Sequence, residues 1–374
     1  MLPSSGARRA GLAAAVAAIP VVLAYRFAQV YRVRAGFPHR HEPLWTPDAL
    51  GMPHEEVAVP TTDGVTLAGW YMPASAVAGA APTTSVAEAP GIVLVHGWES
   101  ARDRTLPHAQ FLHAAGFHVL AVDVRGHGQN EPESLPISVG EFAADAAAAV
   151  RWLAARPEVT VVGLLGHSMG AAGAMVAAAA EPAVAAVVGV STPADPYRLT
   201  RQTFRLASLP IPAPVAWPLA WLTTHVFLRP RGHTPAEVSA SRAVRVIEVP
   251  MLLVHGDEDH VVPVGHLARL AAIRRAARPD AVTETLTVHG GHHSWLFEFP
   301  EFRATVARFF AASLGGPLAP DAAALAAASI PAARLPEPER LTTLEEEPGG
   351  VRSLLRVFRR HTPTTSTDVP APEV

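Results

Sequence analysis

Apolar and polar positions alternate along 56–61 and again along 65–71, and the two stretches are parted by Thr62-Asp63-Gly64. A period of two on either side of a turn signal predicts an antiparallel hairpin. Beyond it come short apolar runs at 91–96, 117–122, 160–165 and 184–190, interleaved with helix-forming segments at 139–155 and 169–180. Strands that are apolar throughout have both faces covered, so this alternation predicts a mostly parallel sheet with helices on each side. Two further strands are expected at 250–255 and 284–288.

Between 192 and 249 the alternation breaks, and prolines and large apolar residues crowd 206–218. An insertion at this point of a doubly wound sheet lies over the carboxyl ends of the strands, so about 193–248 is expected to be a lid. Phe204, Leu206, Leu209, Trp217, Leu219, Trp221 and Phe227 would either line an acyl pocket or bury the lid on the domain. Ala, Pro, Thr and Ser dominate 76–90, which reads as a surface insertion. After 313 the chain turns to Ala, Pro and Glu, so 314–374 is expected to be a mostly disordered tail with short helices near 322–328 and 351–360.

At the amino end, sixteen uncharged residues over 10–25 lie between Arg8-Arg9 and Arg26. That is short of the roughly 20 that span a bilayer, though 27–31 extend the apolar face. No good small-residue cleavage site follows, so residues 1–41 are expected to be an uncleaved membrane anchor, over 10–31, with its linker. The alternative is a cytoplasmic protein whose amphipathic first helix packs on the domain. Residues 42–313 then form one domain.

The 374-residue chain has no cysteine, and all 30 of its basic residues are arginine. This excludes thiol nucleophiles, thiolate metal sites, disulfides, serine–lysine dyads, Schiff-base lysines and phosphate-loop lysines. A formal net charge of -3 without a basic stripe excludes the electrostatic footprint of nucleic-acid binding. The partner is small or apolar. The arginine and alanine bias is read as genome composition, without functional content.

Chemistry enters at Gly166-His167-Ser168-Met169-Gly170, between a predicted strand and a predicted helix. Two glycines permit a very tight turn that lifts the serine hydroxyl clear of the sheet and aims the first amides of the helix above it. A nucleophilic serine needs a base and an acid that orients the base, here sought at later strand ends. The 250–255 strand runs into Gly256-Asp257-Glu258-Asp259, and the 284–288 strand into His289-Gly290-Gly291-His292-His293. Asp259 is the candidate acid and His293 the candidate base. His292 is the close rival of His293, because adjacent side chains on an extended loop point opposite ways. Asp257 and Asp195 are rivals of Asp259. The histidines at 255, 260, 289, 292 and 293 lack metal-ligand spacing, and no metal is expected.

Val95-His96-Gly97-Trp98, Asp123-Val124-Arg125-Gly126-His127-Gly128, the serine pentad, His255-Gly256-Asp257-Glu258-Asp259 and Gly291-His292-His293-Ser294-Trp295 together closely resemble the α/β-hydrolase superfamily. The likeness is to its bacterial esterase and serine-aminopeptidase-like branch, and it covers about 56–313. It implies an α/β-hydrolase fold: a mostly parallel doubly wound sheet of about eight strands, with an antiparallel amino-terminal hairpin and an inserted helical lid. It implies a triad of Ser168, Asp259 and His293, with the backbone amides of Trp98 and Met169 as an oxyanion hole. His96, Gly97, Gly166, His167 and Gly170 support that motif, with His96 as a loop brace. Relatives often carry a serine where this chain has Asn130, a departure expected to touch packing more than chemistry.

The expected function is cofactor-free hydrolysis of small carboxylic esters through an acyl-enzyme. The alternatives are a peptidase or amidase using the same triad, with Asp195, Arg198, Arg201 and Arg205 as candidate anchors, and a non-catalytic membrane-tethered binding module.

Overall fold

The computed structural model describes residues 36–74, 88–196, 213–227 and 231–333, with the isolated positions 18, 22, 25 and 198. Its strands are β1 (Glu55–Pro60), β2 (Thr66–Met72), β3 (Ala89–Val95), β4 (His118–Val122), β5 (Val159–His167), β6 (Val184–Val190), β7 (Met251–Gly256) and β8 (Thr283–Val288). They form an eight-stranded sheet in the order β1-β2-β4-β3-β5-β6-β7-β8. β1 and β2 pair antiparallel, β2 meets β4 antiparallel, and all other pairings are parallel. This is the architecture the resemblance implied. Strand order reverses between β3 and β5, which opens a crevice at their carboxyl ends.

Helices α1 (Leu106–Ala114), α2 (Val139–Ala154), α3 (Met169–Ala178), α4 (Ala213–Leu222), α5 (Ala240–Ala243), α6 (Gly265–Ala277), α7 (Pro300–Leu314) and α8 (Pro320–Ser329) complete the described residues. Two apolar layers result, one for each face of the sheet. Phe142, Leu164 and Met175 belong to the first, and Phe111, Phe302 and Phe310 to the second. α2 begins at a capping box in which the Glu141 carboxylate accepts the Ser138 N–H at 2.7 Å. The alanines of α3 have a packing role that composition alone did not disclose. Ala171, Ala172, Ala174 and Ala177 are buried, and at Gly173 a side chain would collide with Phe142 of α2.

Most boundaries fall within two residues of expectation. β3 starts at Ala89, so Ala89 and Pro90 belong to the sheet rather than to the 76–90 insertion. α8 coincides with the short helix expected near 322–328 and buries Ala323, Ala324 and Ala327, continuing the packing past Ser313. Apart from the isolated positions 18, 22 and 25, the candidate anchor at 10–31 lies outside the described residues, as do most of the 76–90 segment and the helix expected near 351–360. Among the described residues no helix is long and apolar enough to cross a membrane.

The loops at the crevice are held by buried polar contacts. The Arg125 guanidinium spans Asp63 in the hairpin turn at 2.6 Å and Asp145 on α2 at 2.6 Å. Arg102 pairs with Asp123 and lies 4.1 Å over the Trp70 ring. Asn130 accepts from Ala68 N–H at 2.9 Å and donates to Asp123 C=O at 2.7 Å, a packing role as expected of this position. Residues 36–44 run across this surface, with His39 N–H bonded to Glu99 and Leu44 N–H to Asp103.

Several histidines are buried without a carboxylate partner. His108 sits among Phe111, Phe297 and Phe302, and His127 among His96, Trp98 and Phe142. Burial disfavours their charged forms, lowering His96 to about 4, His108 to about 4 and His127 to about 3. An unfolded imidazole titrates near 6.5, so between that pH and about 4 the unfolded chain binds more protons than the folded one. Stability should therefore be level above about pH 6.5 and fall as pH drops towards 4, by up to roughly 1.4 kcal/mol per pH unit for each histidine. Urea midpoints measured from pH 7.5 to 4.5 should show this slope, and His108→Phe should flatten it.

Candidate active site

The turn out of β5 is held in a conformation that an L-residue adopts only under constraint. Ser168 has φ 53° and ψ −120°. Its N–H donates to Val190 C=O at 2.9 Å, and its own C=O accepts the Ala171 and Ala172 N–H groups that start α3. The pentad glycines are required by contact. A side chain at Gly166 would collide with the Gly170 carbonyl, and one at Gly170 with the carbonyls of Val95 and His96. A Cβ at Gly97 would lie 3.3 Å from Ser168 Cβ. The loop after β3 is thereby pressed against the serine.

Ser168 Oγ lies 3.0 Å from His293 Nε2, and His293 Nδ1 lies 2.8 Å from Asp259 Oδ2. Residues from the ends of β5, β7 and β8 thus meet in one hydrogen-bonded line. The Asp259 carboxylate is buried and saturated: Oδ1 accepts the N–H groups of Val261 at 2.9 Å and Val262 at 2.7 Å. Burial opposes its ionisation, but hydrogen bonds from His255 and His293 outweigh that and hold the carboxyl below the usual carboxylate range. An ionised acceptor thus faces the His293 ring.

Two further side chains fix His293 through its backbone. His167 Nε2 lies 2.8 Å and Ser191 Oγ 3.1 Å from the His293 carbonyl oxygen, and both donate to it. Burial, then the nearby His293, lowers His167 to about 3, so it is the neutral ring that donates. His96 braces the opposite loop: Nδ1–H donates to Gly97 C=O at 2.7 Å and Nε2 accepts Val124 N–H at 3.0 Å. Among the described residues the Trp98 N–H is donated to no backbone oxygen. The Met169 N–H, first in α3, has no intrahelical acceptor. Both amides belong to segments in contact with Ser168.

The rival residues are placed elsewhere. His292 is exposed, with its ring against the Glu258 carbonyl at 3.4 Å. Asp257 reaches across to the loop after β8 and accepts Gly290 N–H at 2.8 Å and His289 Nδ1–H at 2.9 Å. Asp195 accepts Arg198 N–H at 2.6 Å. In the lid, Trp217 and Trp221 are 45% and 51% exposed, while Phe204, Leu206, Leu209, Arg201 and Arg205 lie outside the described residues, as do the surroundings of the Leu219 and Phe227 side chains. Ser191 and His255 were not anticipated as parts of the site. Ser191 gave no signal beyond its place at a strand end, whereas His255 stands four residues before the acid across a tight turn, a spacing that brings the two side chains together.

The serine aminopeptidase, S33, family model matches residues 88–231. A Mycobacterium tuberculosis protein, Rv2307c, is 31% identical over 226 residues, covering 60% of this chain and 68% of the relative. The Pyrococcus furiosus esterase Pf2001 superposes with a TM-score of 0.57 at 23% identity, over 75% of this chain and 97% of that one. The Pyrococcus horikoshii acylaminoacyl peptidase gives 0.51 at 17% identity, over 71% and 42%. At these identities the two structural likenesses are of fold.

Glycine to alanine inside a helix ordinarily stabilises by about 1 kcal/mol. At Gly170 the sign should invert, because the added methyl meets main-chain carbonyls that cannot rotate away. Gly170→Ala should lower stability by about 2 kcal/mol or more, the cost of overpacking, measured as a reduced urea midpoint.

Proposed function

The chain belongs to the S33 serine aminopeptidase family of the α/β-hydrolase superfamily, and on that premise we propose that it cleaves carboxylic esters through a triad of Ser168, His293 and Asp259. The observation that carries this reading is the unbroken line from Ser168 Oγ through both His293 nitrogens to Asp259 Oδ2, at 3.0 and 2.8 Å. In the proposed cycle His293 Nε2 takes the Ser168 proton as Oγ bonds to the acyl carbon. Asp259 stabilises the imidazolium that forms, and the Trp98 and Met169 amides receive the oxyanion. The C–O bond to the alcohol then breaks, Nε2 returning the proton to the leaving oxygen. Water, deprotonated by His293, attacks the Ser168 ester and releases the acid. On this reading 42–313 is the catalytic domain, and about 193–248 carries acyl selectivity as its lid.

An amide is cleaved by the same steps with an amine as leaving group, and the family's name and the peptidase neighbour keep that reading in view. Of its candidate anchors, Asp195 already caps the Arg198 amide. The segment 10–31 is proposed as a membrane anchor on the strength of its uncharged run between arginines.

Ser168→Ala should lower turnover of a chromogenic acyl ester by about a million-fold with the fold intact, and Asp259→Asn by about ten-thousand-fold. Covalent labelling by a fluorophosphonate should vanish in Ser168→Ala. Undiminished hydrolysis by that variant would refute the triad. A series of esters and aminoacyl amides on one preparation separates esterase from peptidase, the expected result being a higher kcat/KM on esters.

A further inference from the structure

We propose that His255, buried at the end of β7, is a positioning residue that fixes the Asp259 carboxylate and sets how readily the Asp259–His293 pair takes up a proton. The inference rests on the triad reading above. His255 Nε2 lies 3.1 Å from Asp259 Oδ2, the same oxygen that His293 Nδ1 meets at 2.8 Å. It also lies 2.7 Å from the Val262 carbonyl, so its single N–H is shared between two acceptors. Val262 closes a small network, because its own N–H donates to Asp259 Oδ1 at 2.7 Å while its C=O receives from His255. Val261 N–H adds a further donor on Oδ1 at 2.9 Å.

Two consequences follow for His293. The carboxylate plane cannot rotate, since each oxygen is held by two donors in different directions, so the direction in which Asp259 accepts from His293 is fixed before substrate binds. The second consequence is electrostatic. A donor on Oδ2 draws off charge from the oxygen that His293 uses, and hydrogen bonding by His255 contributes to holding the Asp259 carboxyl low. Without it the carboxylate becomes more basic, and the pair is protonated at higher pH.

Among the described residues, charged and titratable groups surround this network. They are His293 in the loop after β8, His167 at the end of β5, His266 on α6, and Asp195 and Arg198 beyond β6. His266 Nδ1 is engaged by the Ala194 N–H at 2.8 Å. Of these His293 alone touches the Asp259 carboxylate, and with His255 it makes the two described side chains in contact with it.

The test compares three variants with the full chain on one chromogenic ester. His255→Gln keeps an N–H donor where the imidazole Nε2 stands, His255→Asn is equally polar but too short to reach Asp259, and His255→Leu removes the donor. His255→Leu and His255→Asn should lower kcat about ten- to a hundred-fold, by analogy with the loss of a hydrogen-bond partner that orients a metal-ligating imidazole. KM should be unchanged, and the acid limb of the kcat–pH profile should move to higher pH. His255→Gln should recover most of the rate and return the limb. The proposal is overturned if all three variants match the wild type. It is equally overturned if Gln and Asn fall together with an unmoved acid limb, which marks a purely structural role. Should His255→Leu fail to fold, the contrast between Gln and Asn still decides. Failure of the triad itself would show separately, as activity surviving in Ser168→Ala.

Discussion

The approach of α3 to the end of β3 is the contact on which the rest of this molecule depends. Gly170 lies so close to the carbonyls of Val95 and His96 that a single methyl group would not fit. With the first turn of the helix held there, β5 must reverse within Gly166 and His167, and Ser168 is left at φ 53°. A strained residue of this kind costs about 1–3 kcal/mol and persists only where its surroundings over-determine it. They do so here: its N–H is bonded to β6, its C=O to α3, and Gly97 packs on its Cβ. The small residues of α3 let that helix bury Gly170 to Met175 and Ala177 between the sheet and α2, and this burial offsets the strain. The serine is thus presented by main-chain packing, independent of any one side-chain contact.

The Asp123, Asp145 and Asp259 side chains are fully buried near the strand ends, and their partners separate them by role. Asp123 is paired with the Arg102 guanidinium, and Asp145 with that of Arg125. A permanent cation cancels a buried charge, so these two brace loops and do not respond to events in the crevice. Among the described residues Asp259 is paired with no guanidinium. Its four donors are two amides and two imidazoles. Its negative charge is stabilised by dipoles but not cancelled, and it is therefore the carboxylate whose field can favour a proton on His293.

Much of this was legible along the chain because the underlying physics is local. A period of two at 56–61 and 65–71 gave the hairpin, uniformly apolar runs gave the buried strands, and the pentad at 166–170 marked the turn. What could not be read were contacts between strand ends distant in sequence. Asp257 looks like a residue capping its own turn, yet it bonds Gly290 on the neighbouring loop, a pairing set by the β7–β8 register. His255 closes an apolar run, and its one clue, a place four residues before the acid, means something only once the turn between them is seen to be tight. The choice between His292 and His293 came from motif resemblance, since adjacent loop residues carry no internal clue. In space the difference is plain: His292 faces solvent and His293 faces Ser168.

For the proposed oxyanion hole, the loop after β3 matters through the same packing. Donors that wait in position for a developing oxyanion lower a barrier more than donors that must reorganise to meet it. Here the loop is fastened along its length. His96 ties Gly97 C=O to the Val124 N–H, Glu99 at φ 49° holds the His39 amide, and the Arg102 N–H is bonded to Asp123 at 2.7 Å. Gly97 rests on Ser168 from one side, and His127 packs against the Trp98 ring from the other. The loop that carries Trp98 therefore has little freedom to move relative to the serine. Because residues 36–44 supply some of these fastenings, the amino-terminal strap is part of what holds this loop against the crevice it crosses.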